Sequence, residues 1–393
     1  MVIKMEISEL ETGFIEHFGI EPSKYFFSPG RINLIGEHTD YNGGHVFPAA
    51  ISLGTYAAVG RRNDRELHFF SANYPDQGEI SVQLTNLDYK VSDSWTNYTK
   101  GMFLFVQQQT GATFDSGLNI FVKGDLPSSS GLSSSASMEL LIGIIIQQMY
   151  HIQITQLDLV KIGQKVKNEF IGVNSGIMDQ FAVGMGKQDQ AIFLDTNTLE
   201  YKLFPINLTK QSIVIMNTNK PRDLISGKYN ERRLECEEAL RRLQRVVQIK
   251  SLGELSAAEF DEYSFAIADE TLIKRARHAV LENERTVRAG DAMTTNNLTR
   301  FGRLMNASHI SLEFDYEVTG IELDTLVHTA WKQPGVLGAR MTGAGFGGCA
   351  IALVENDAIP ILKENVGAKY REITGFNASF YITEIGAGPR ELH

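Results

Sequence analysis

One segment constrains this chain more than any other: Pro127-Ser-Ser-Ser-Gly-Leu-Ser-Ser-Ser-Ala136, leading into a run that is apolar nearly all round through Leu140–Ile146. A helix with no polar face is stable only inside a core, so the rest of the chain must fold around it. The approach to that helix offers mostly serines. Small side chains let backbone N–H groups come close to an anion, and the helix turns its positive end back toward the loop. Capping alone needs a single serine. From spacing, two readings stand: a phosphate-binding loop, or a plain loop ending in an N-cap.

The chain has 393 residues, 43% hydrophobic and 21% charged, which fits a soluble protein of two or more domains with a large core. Apolar spacing predicts helices over 8–20, 96–110, 159–171, 229–248, 271–288, 296–310 and 320–331. A strand is predicted to begin at 25–27 and run into Ser28-Pro29-Gly30, with others over 46–60, 66–71, 118–122, 336–341, 349–354 and 380–385, and the apolar run 212–216 opens the second half. The mixture favours an α+β fold with two domains, 1–205 and 206–393. Lys and Arg number 37 against 47 Asp and Glu, a formal charge of −10. Such an acidic chain is expected to bind neither nucleic acid nor an anionic membrane, and a small polar ligand suits it better. No apolar run reaches the roughly 20 residues of a membrane helix. The opening MVIKMEISE lacks the apolar centre of a signal peptide. Cys236 and Cys349 have neither metal nor redox spacing, so buried thiols in a cytoplasmic protein are expected.

The common nucleotide motifs fail. No Walker loop or protein-kinase signature occurs. Gly343-Ala-Gly345-Phe-Gly-Gly348 fits G-x-G-x-x-G, but a strand-like run follows where a dinucleotide loop needs a helix, so a strand-to-strand turn is the better reading. The stretch Ser28–Gly44, SPGRINLIGEHTDYNGG, gathers Arg31, Glu37, His38 and Asp40 among turn formers. Mixed donors and acceptors on a turn suit a polyhydroxylated ligand; a polar surface hairpin is the plain alternative. Asp179 is a single carboxylate in a glycine-bracketed loop, which by itself marks an exposed turn as readily as a site.

Taken together, the blocks PSSSGLSSSAS, GIMDQ and MTGAGFGGCAIAL resemble the GHMP kinase superfamily, and GRINLIGEHTDYNGG resembles its galactokinase branch. With Lys228-Tyr-Asn-Glu-Arg232 the likeness spans essentially the whole chain. It implies a two-domain GHMP kinase fold with the active site in the interdomain cleft, ATP and Mg²⁺ as cofactors, and no obligate protein partner. The implied reaction moves the γ-phosphoryl group of ATP to the anomeric hydroxyl of α-D-galactose. By the same resemblance, Asp179 matches the catalytic base and Arg31 the residue that orients and stabilises it. Glu37, His38, Thr39, Asp40 and Tyr229 match sugar contacts. Gly131, Leu132, Ser133, Ser134 and Ser135 match the phosphate loop, with Ser135 as Mg²⁺ ligand, and Ser71 resembles a position near the nucleotide.

Two departures stand out. The loop reads Pro127-Ser-Ser-Ser-Gly131 where the family is rich in glycine and alanine. Twelve residues before Asp179, where the family commonly has a metal-ligating glutamate, this chain has Lys167. Lys167 falls at the edge of the stripe Leu159, Ile162, Val166 and Phe170, from which it could reach the cleft or point to solvent. Glu169 lies about 200° round the helix and cannot substitute. Two alternatives remain beside galactose phosphorylation: an N-acetylhexosamine kinase, and a galactokinase-like sugar sensor that binds without turnover. The uninterrupted Ser133-Ser-Ser-Ala-Ser137, with Arg31 and Asp179 present, favours the enzyme.

Overall fold

The computed structural model describes residues 7–127, 130–221 and 225–393, so Ser128 and Ser129 of the serine loop and the first six residues lie outside it. The first half contains α1 (Ile7–Phe18), β1 (Lys24–Asn33), β2 (His45–Val46), β3 (Pro48–Arg61), β4 (Glu66–Ser71) and β5 (Ile80–Gln83). It continues through α2 (Thr96–Thr110), β6 (Leu118–Gly124), α3 (Ser134–Met149), α4 (Gln156–Lys165), α5 (Met178–Met185), β7 (Gln190–Asp195) and β8 (Tyr201–Pro205). The second half begins with β9 (Gln211–Asn217), α6 (Ile225–Leu243), α7 (Ala257–Tyr263), α8 (Glu270–Thr294), α9 (Leu298–Ser311) and α10 (Gly320–Ala330). It ends with β10 (Val336–Thr342), β11 (Cys349–Glu355), α11 (Ile359–Thr374), β12 (Ser379–Thr383) and β13 (Arg390–Leu392).

Three sheets organise these elements. A six-stranded sheet runs β13-β1-β3-β6-β4-β5, a four-stranded sheet β10-β11-β9-β12, and a three-stranded sheet β2-β7-β8. Successive side chains of β1 point to opposite faces, as strand geometry requires. Phe26 therefore joins the core that contains Leu140 and Ile145 of α3, whereas Phe27 packs with Leu10 and Phe14 of α1. The all-apolar α3 is buried along its length, as its sequence demands. A second core surrounds the four-stranded sheet. A third joins the halves, packing Ile32, Leu34 and Phe47 against Ile213, Ile215 and Ile351. Among the described residues, no helix is long and apolar enough to cross a membrane.

Three local differences from the sequence reading bear on the site. Strand β1, begun at Tyr25–Phe27 and running into Ser28-Pro29-Gly30, continues past Gly30 to Asn33. Its neighbour β13 pairs only with Tyr25–Phe27, so beyond that point one edge is free and tolerates a proline. Arg31 N–H on this edge donates to Leu132 O at 3.1 Å, which ties the serine loop to the strand. Asp179 sits in the first turn of α5, not in a loop. The helix expected over 159–171 is α4 followed by one wide π-helical turn, Val166–Phe170. The glycine motif at 343–348 is the β10–β11 turn, with left-handed φ at Gly343, Gly345, Phe346, Gly347 and Gly348, as the strand-to-strand reading predicts.

Candidate active site

A cavity of about 320 Å³ opens where the serine loop, the start of α5, the start of α6 and the β10–β11 turn converge on the end of β1. Of the residues singled out in the sequence, it brings together Arg31, Glu37, His38, Asp40, Gly131, Ser133, Ser134, Ser135, Asp179 and Tyr229. Thr39, Leu132 and Ser71 do not line it. Thr39 Oγ1 bonds to Gly36 O and His45 O and holds the turn closed behind the site. Leu132 is packed in the seam core, and Ser71 ends β4.

Asp179 is gripped by two cations. Arg31 Nη2 lies 2.8 Å from Oδ1, and Lys167 Nζ lies 3.0 Å from Oδ2. Burial works to raise the Asp179 pKa, but Arg31 and then Lys167 overcome it, holding the carboxyl well below the usual range. Lys167 thus points into the cleft, not to solvent. Arg31 is itself fixed by a 2.6 Å bond from Nη1 to Gly131 O.

Asp40 accepts from Tyr41 N–H and, more distantly, from Met178 N–H. Burial, reinforced by the charge of Asp179, pushes its pKa up to about 6. The preceding glycine of the GIMDQ block has a steric cause: a Cβ at Gly176 would overlap the Asp40 carboxylate. His38 takes a left-handed φ of 61°, and its Nδ1 pairs with Tyr41 Oη at 2.8 Å. Burial, with help from the neighbouring His278, pushes its pKa down to about 3, so the imidazole is neutral.

Glu37 is engaged from the other half of the chain. Arg340 Nη2 donates to its Oε2 at 2.7 Å and Gly343 N–H to its Oε1 at 2.9 Å. Arg340 also donates to Asn33 O and Ser308 Oγ, and Glu282 accepts from Gly36 N–H. The turn that carries His38 and Asp40 therefore hangs on the second half of the molecule.

Among the described residues, several buried polar atoms around the cavity find no well-formed protein hydrogen bond: His38 Nε2, Ser133 Oγ, which lies near Asp179, and Arg31 Nε. Native structures rarely leave such atoms unsatisfied, so a polar ligand is the natural complement. Ser133, at φ 62°, precedes α3 without capping it by its side chain, which leaves the first N–H groups of the helix available for an anion. The cavity thus joins a helix start with N–H groups open to a ligand, a carboxylate between two cations, and a wall of mixed hydrogen-bonding groups.

Comparison with known proteins agrees with this arrangement. The galactokinase galactose-binding signature matches residues 12–61, the GHMP kinase N-terminal domain 97–187, and the GHMP kinase C-terminal region 290–372. A galactokinase of Streptococcus suis is 59% identical over 388 residues, covering 99% of both chains. One of Lactiplantibacillus plantarum is 60% identical over 99% of this chain and all of its own. The chain belongs to the galactokinase family. A crystal structure of Lactococcus lactis galactokinase complexed with galactose superposes with a TM-score of 0.95 at 54% identity, covering 98% of this chain and 100% of that one. A mevalonate kinase structure, with a TM-score of 0.66 at 17% identity over 92% of this chain and 99% of its own, shares the fold alone.

For a galactokinase-family chain, the sequence reading missed three residues at the site. Tyr98 of α2 lines the cavity. Glu139 on α3 is fully buried, with Oε2 bonded to Gln180 Nε2 at 2.8 Å, Oε1 without a partner among the described residues, and a pKa pushed up to about 8 by burial. Arg340 is wholly buried in a strand. The last two carried a signal, a single charge inside an otherwise apolar element; Tyr98 carried none.

A second cluster, His309, Glu313 and His328, lies outside the cavity. His309 Nδ1 accepts from Met341 N–H, so its Nε2 carries the proton toward Asp324 and is not offered to a metal.

Proposed function

We propose that this chain transfers the γ-phosphoryl group of ATP to the C1 hydroxyl of α-D-galactose, giving galactose 1-phosphate and ADP. The observation that carries the reading is the Asp179–Arg31 pair facing the uncapped start of α3 across one cavity. A bond forms between O1 of the sugar and the γ-phosphorus while the bond to the β,γ-bridging oxygen breaks, and ADP keeps that oxygen. The hydroxyl proton passes to the Asp179 carboxylate. A carboxylate of such low basicity suits a loose transition state, in which the proton moves late and positioning dominates. Arg31 keeps Asp179 ionised and offsets charge on the migrating group.

On this reading His38 Nε2, Asp40, Glu37 and Tyr229 hold the sugar hydroxyls, and Thr39 shapes their turn. An axial C4 hydroxyl that satisfies such groups excludes glucose, which would leave them unpaired. Gly131–Ser135 hold the nucleotide phosphates, and Ser71 lies toward the nucleotide. The cavity carboxylates are already engaged: Glu37 by Arg340 and Gly343, Asp179 by two cations, and Asp40 by backbone N–H groups. The residues therefore fit Mg²⁺ arriving with its nucleotide, with Ser135 as a protein ligand and water completing its shell. Bound there, Mg²⁺ shields the phosphate charge. Residues 1–205, whose sheet the C-terminal strand β13 completes, and the rest of 206–393 form the two domains flanking the cleft, and the protein works in the cytoplasm without an obligate partner.

A coupled assay of ADP release with galactose, glucose and N-acetylgalactosamine tests the reading. Galactose should be turned over at a far higher kcat/KM than either competitor. Comparable use of N-acetylgalactosamine would favour a hexosamine kinase, and binding of galactose and ATP without ADP release would favour a sensor.

A further inference from the structure

Lys167 reaches the cavity because the wide turn Val166–Phe170 follows α4 and swings its side chain inward. The side chain is 13% exposed, and its ammonium offers three donors. Among the described residues it makes one hydrogen bond, to Asp179 Oδ2. Fully buried Glu139 is close enough for the charge of Lys167 to act on it, and among the described residues its Oε1 has no hydrogen-bond partner. Burial works against the charge of Lys167, but Asp179 and then Glu139 more than restore it, so the ammonium persists. A buried ammonium with unused donors beside a cavity is complemented by an anion. The start of α3, where an anionic ligand would also sit, lines the same cavity.

We propose that Lys167 is a built-in cation of the phosphate site, fixing the second oxygen of Asp179 and giving its remaining N–H groups to the terminal phosphate of ATP. Positive charge that other sites obtain from a divalent cation is here partly supplied by the chain. Nucleotide affinity should consequently depend less on Mg²⁺ than in a variant lacking this charge. Glu169 has no part in this: its side chain is 62% exposed and pairs with Lys165.

The proposal rests on ATP occupying this cleft, and its test reads nucleotide binding without turnover. ATP is titrated calorimetrically into the full chain, without galactose, in EDTA and in excess Mg²⁺, for wild type, Lys167→Gln and Lys167→Glu. Loss of one charge-assisted contact should weaken Mg²⁺-free ATP binding by about tenfold to a hundredfold in Lys167→Gln, with a much smaller loss for the Mg²⁺ complex. A purely structural role would weaken both equally, and an unchanged ratio of the two affinities overturns the proposal. Lys167→Glu gives an independent reading: the Mg²⁺ concentration for half-maximal turnover at fixed ATP should fall, and an unchanged value there also counts against Lys167. Wild type that binds ATP under neither condition would fail the cleft assignment itself, a result distinct from unchanged ratios.

Discussion

Arg340 and Glu37 meet across the seam between the two halves of the molecule, with Nη2 2.7 Å from Oε2 and side chains 0% and 1% exposed. Glu37 opens the turn that carries His38 and Asp40, so this ion pair fixes the proposed sugar wall of the cavity to the strand that leads into the glycine turn. Removing one member of a buried pair leaves the other charge without compensation, which typically costs about 3–5 kcal/mol. Arg340→Met should show a loss of that size in urea denaturation. The double variant Glu37→Gln/Arg340→Met should lose less than Arg340→Met alone, because no stranded carboxylate remains at Glu37. A double variant less stable than the single one would contradict this account of the seam.

Gly176 leaves room for Asp40, and a methyl group there must push the carboxylate aside. Gly176→Ala should weaken galactose binding by about five- to a hundredfold, the range for losing a hydrogen bond to a charged group. Affinity for ATP should change little. Parallel calorimetric titrations of the two ligands check this, and equal losses for both would show that the change is not confined to Asp40.

The raised pKa of Asp40, about 6, gives galactose recognition a pH dependence. If Asp40 accepts from sugar hydroxyls as proposed, its ionised form is the better acceptor, so the KM for galactose should rise as pH falls through about 6, and Asp40→Asn should flatten the profile. The effect on stability has the opposite sense. A folded pKa above the unfolded value contributes stability that is fully present below the unfolded pKa and lost as pH rises through about 6. Relative to wild type, Asp40→Asn should therefore melt higher at pH 7.5 than at pH 4. The low pKa of His38, about 3, means that imidazole adds no limb in this range.

Glu139 extends the same logic to higher pH. Burial pushes its pKa up to about 8, so the stability linked to its neutral form is lost as pH rises through that value. Melting temperatures of wild type and Glu139→Gln should diverge between pH 6 and 9, with the variant less sensitive to alkali. Parallel curves would place the titration elsewhere.

Much of this site was legible in the sequence because its determinants are local. Small residues before a nearly all-apolar helix mark a loop that backbone N–H groups can open toward a ligand, and turn formers around Glu37–Asp40 mark a polar loop. What escaped reading depended on partners remote in the chain. Continuation of β1 past Gly30 required a free strand edge, which exists only because β13 returns from the C-terminus and stops at Phe27. The placement of Asp179 on a helix was hidden because glycines flank it, while Arg340 gains its meaning only from Glu37, which lies 303 positions away. Lys167 showed its position in the helical stripe, but which way it pointed was set by the wide turn that no periodicity announces.

The central claim is that Asp179 accepts the proton of the sugar hydroxyl that attacks ATP. Asp179→Asn is nearly isosteric, so the variant should keep its fold and bind galactose with little change. The decisive measurement is kcat of Asp179→Asn at saturating galactose and ATP, with galactose affinity determined separately by calorimetry. Near-native affinity is expected, with kcat lower by about 10²–10⁴-fold, the scale of a positioned general base. Turnover within threefold of wild type would remove Asp179 from that role.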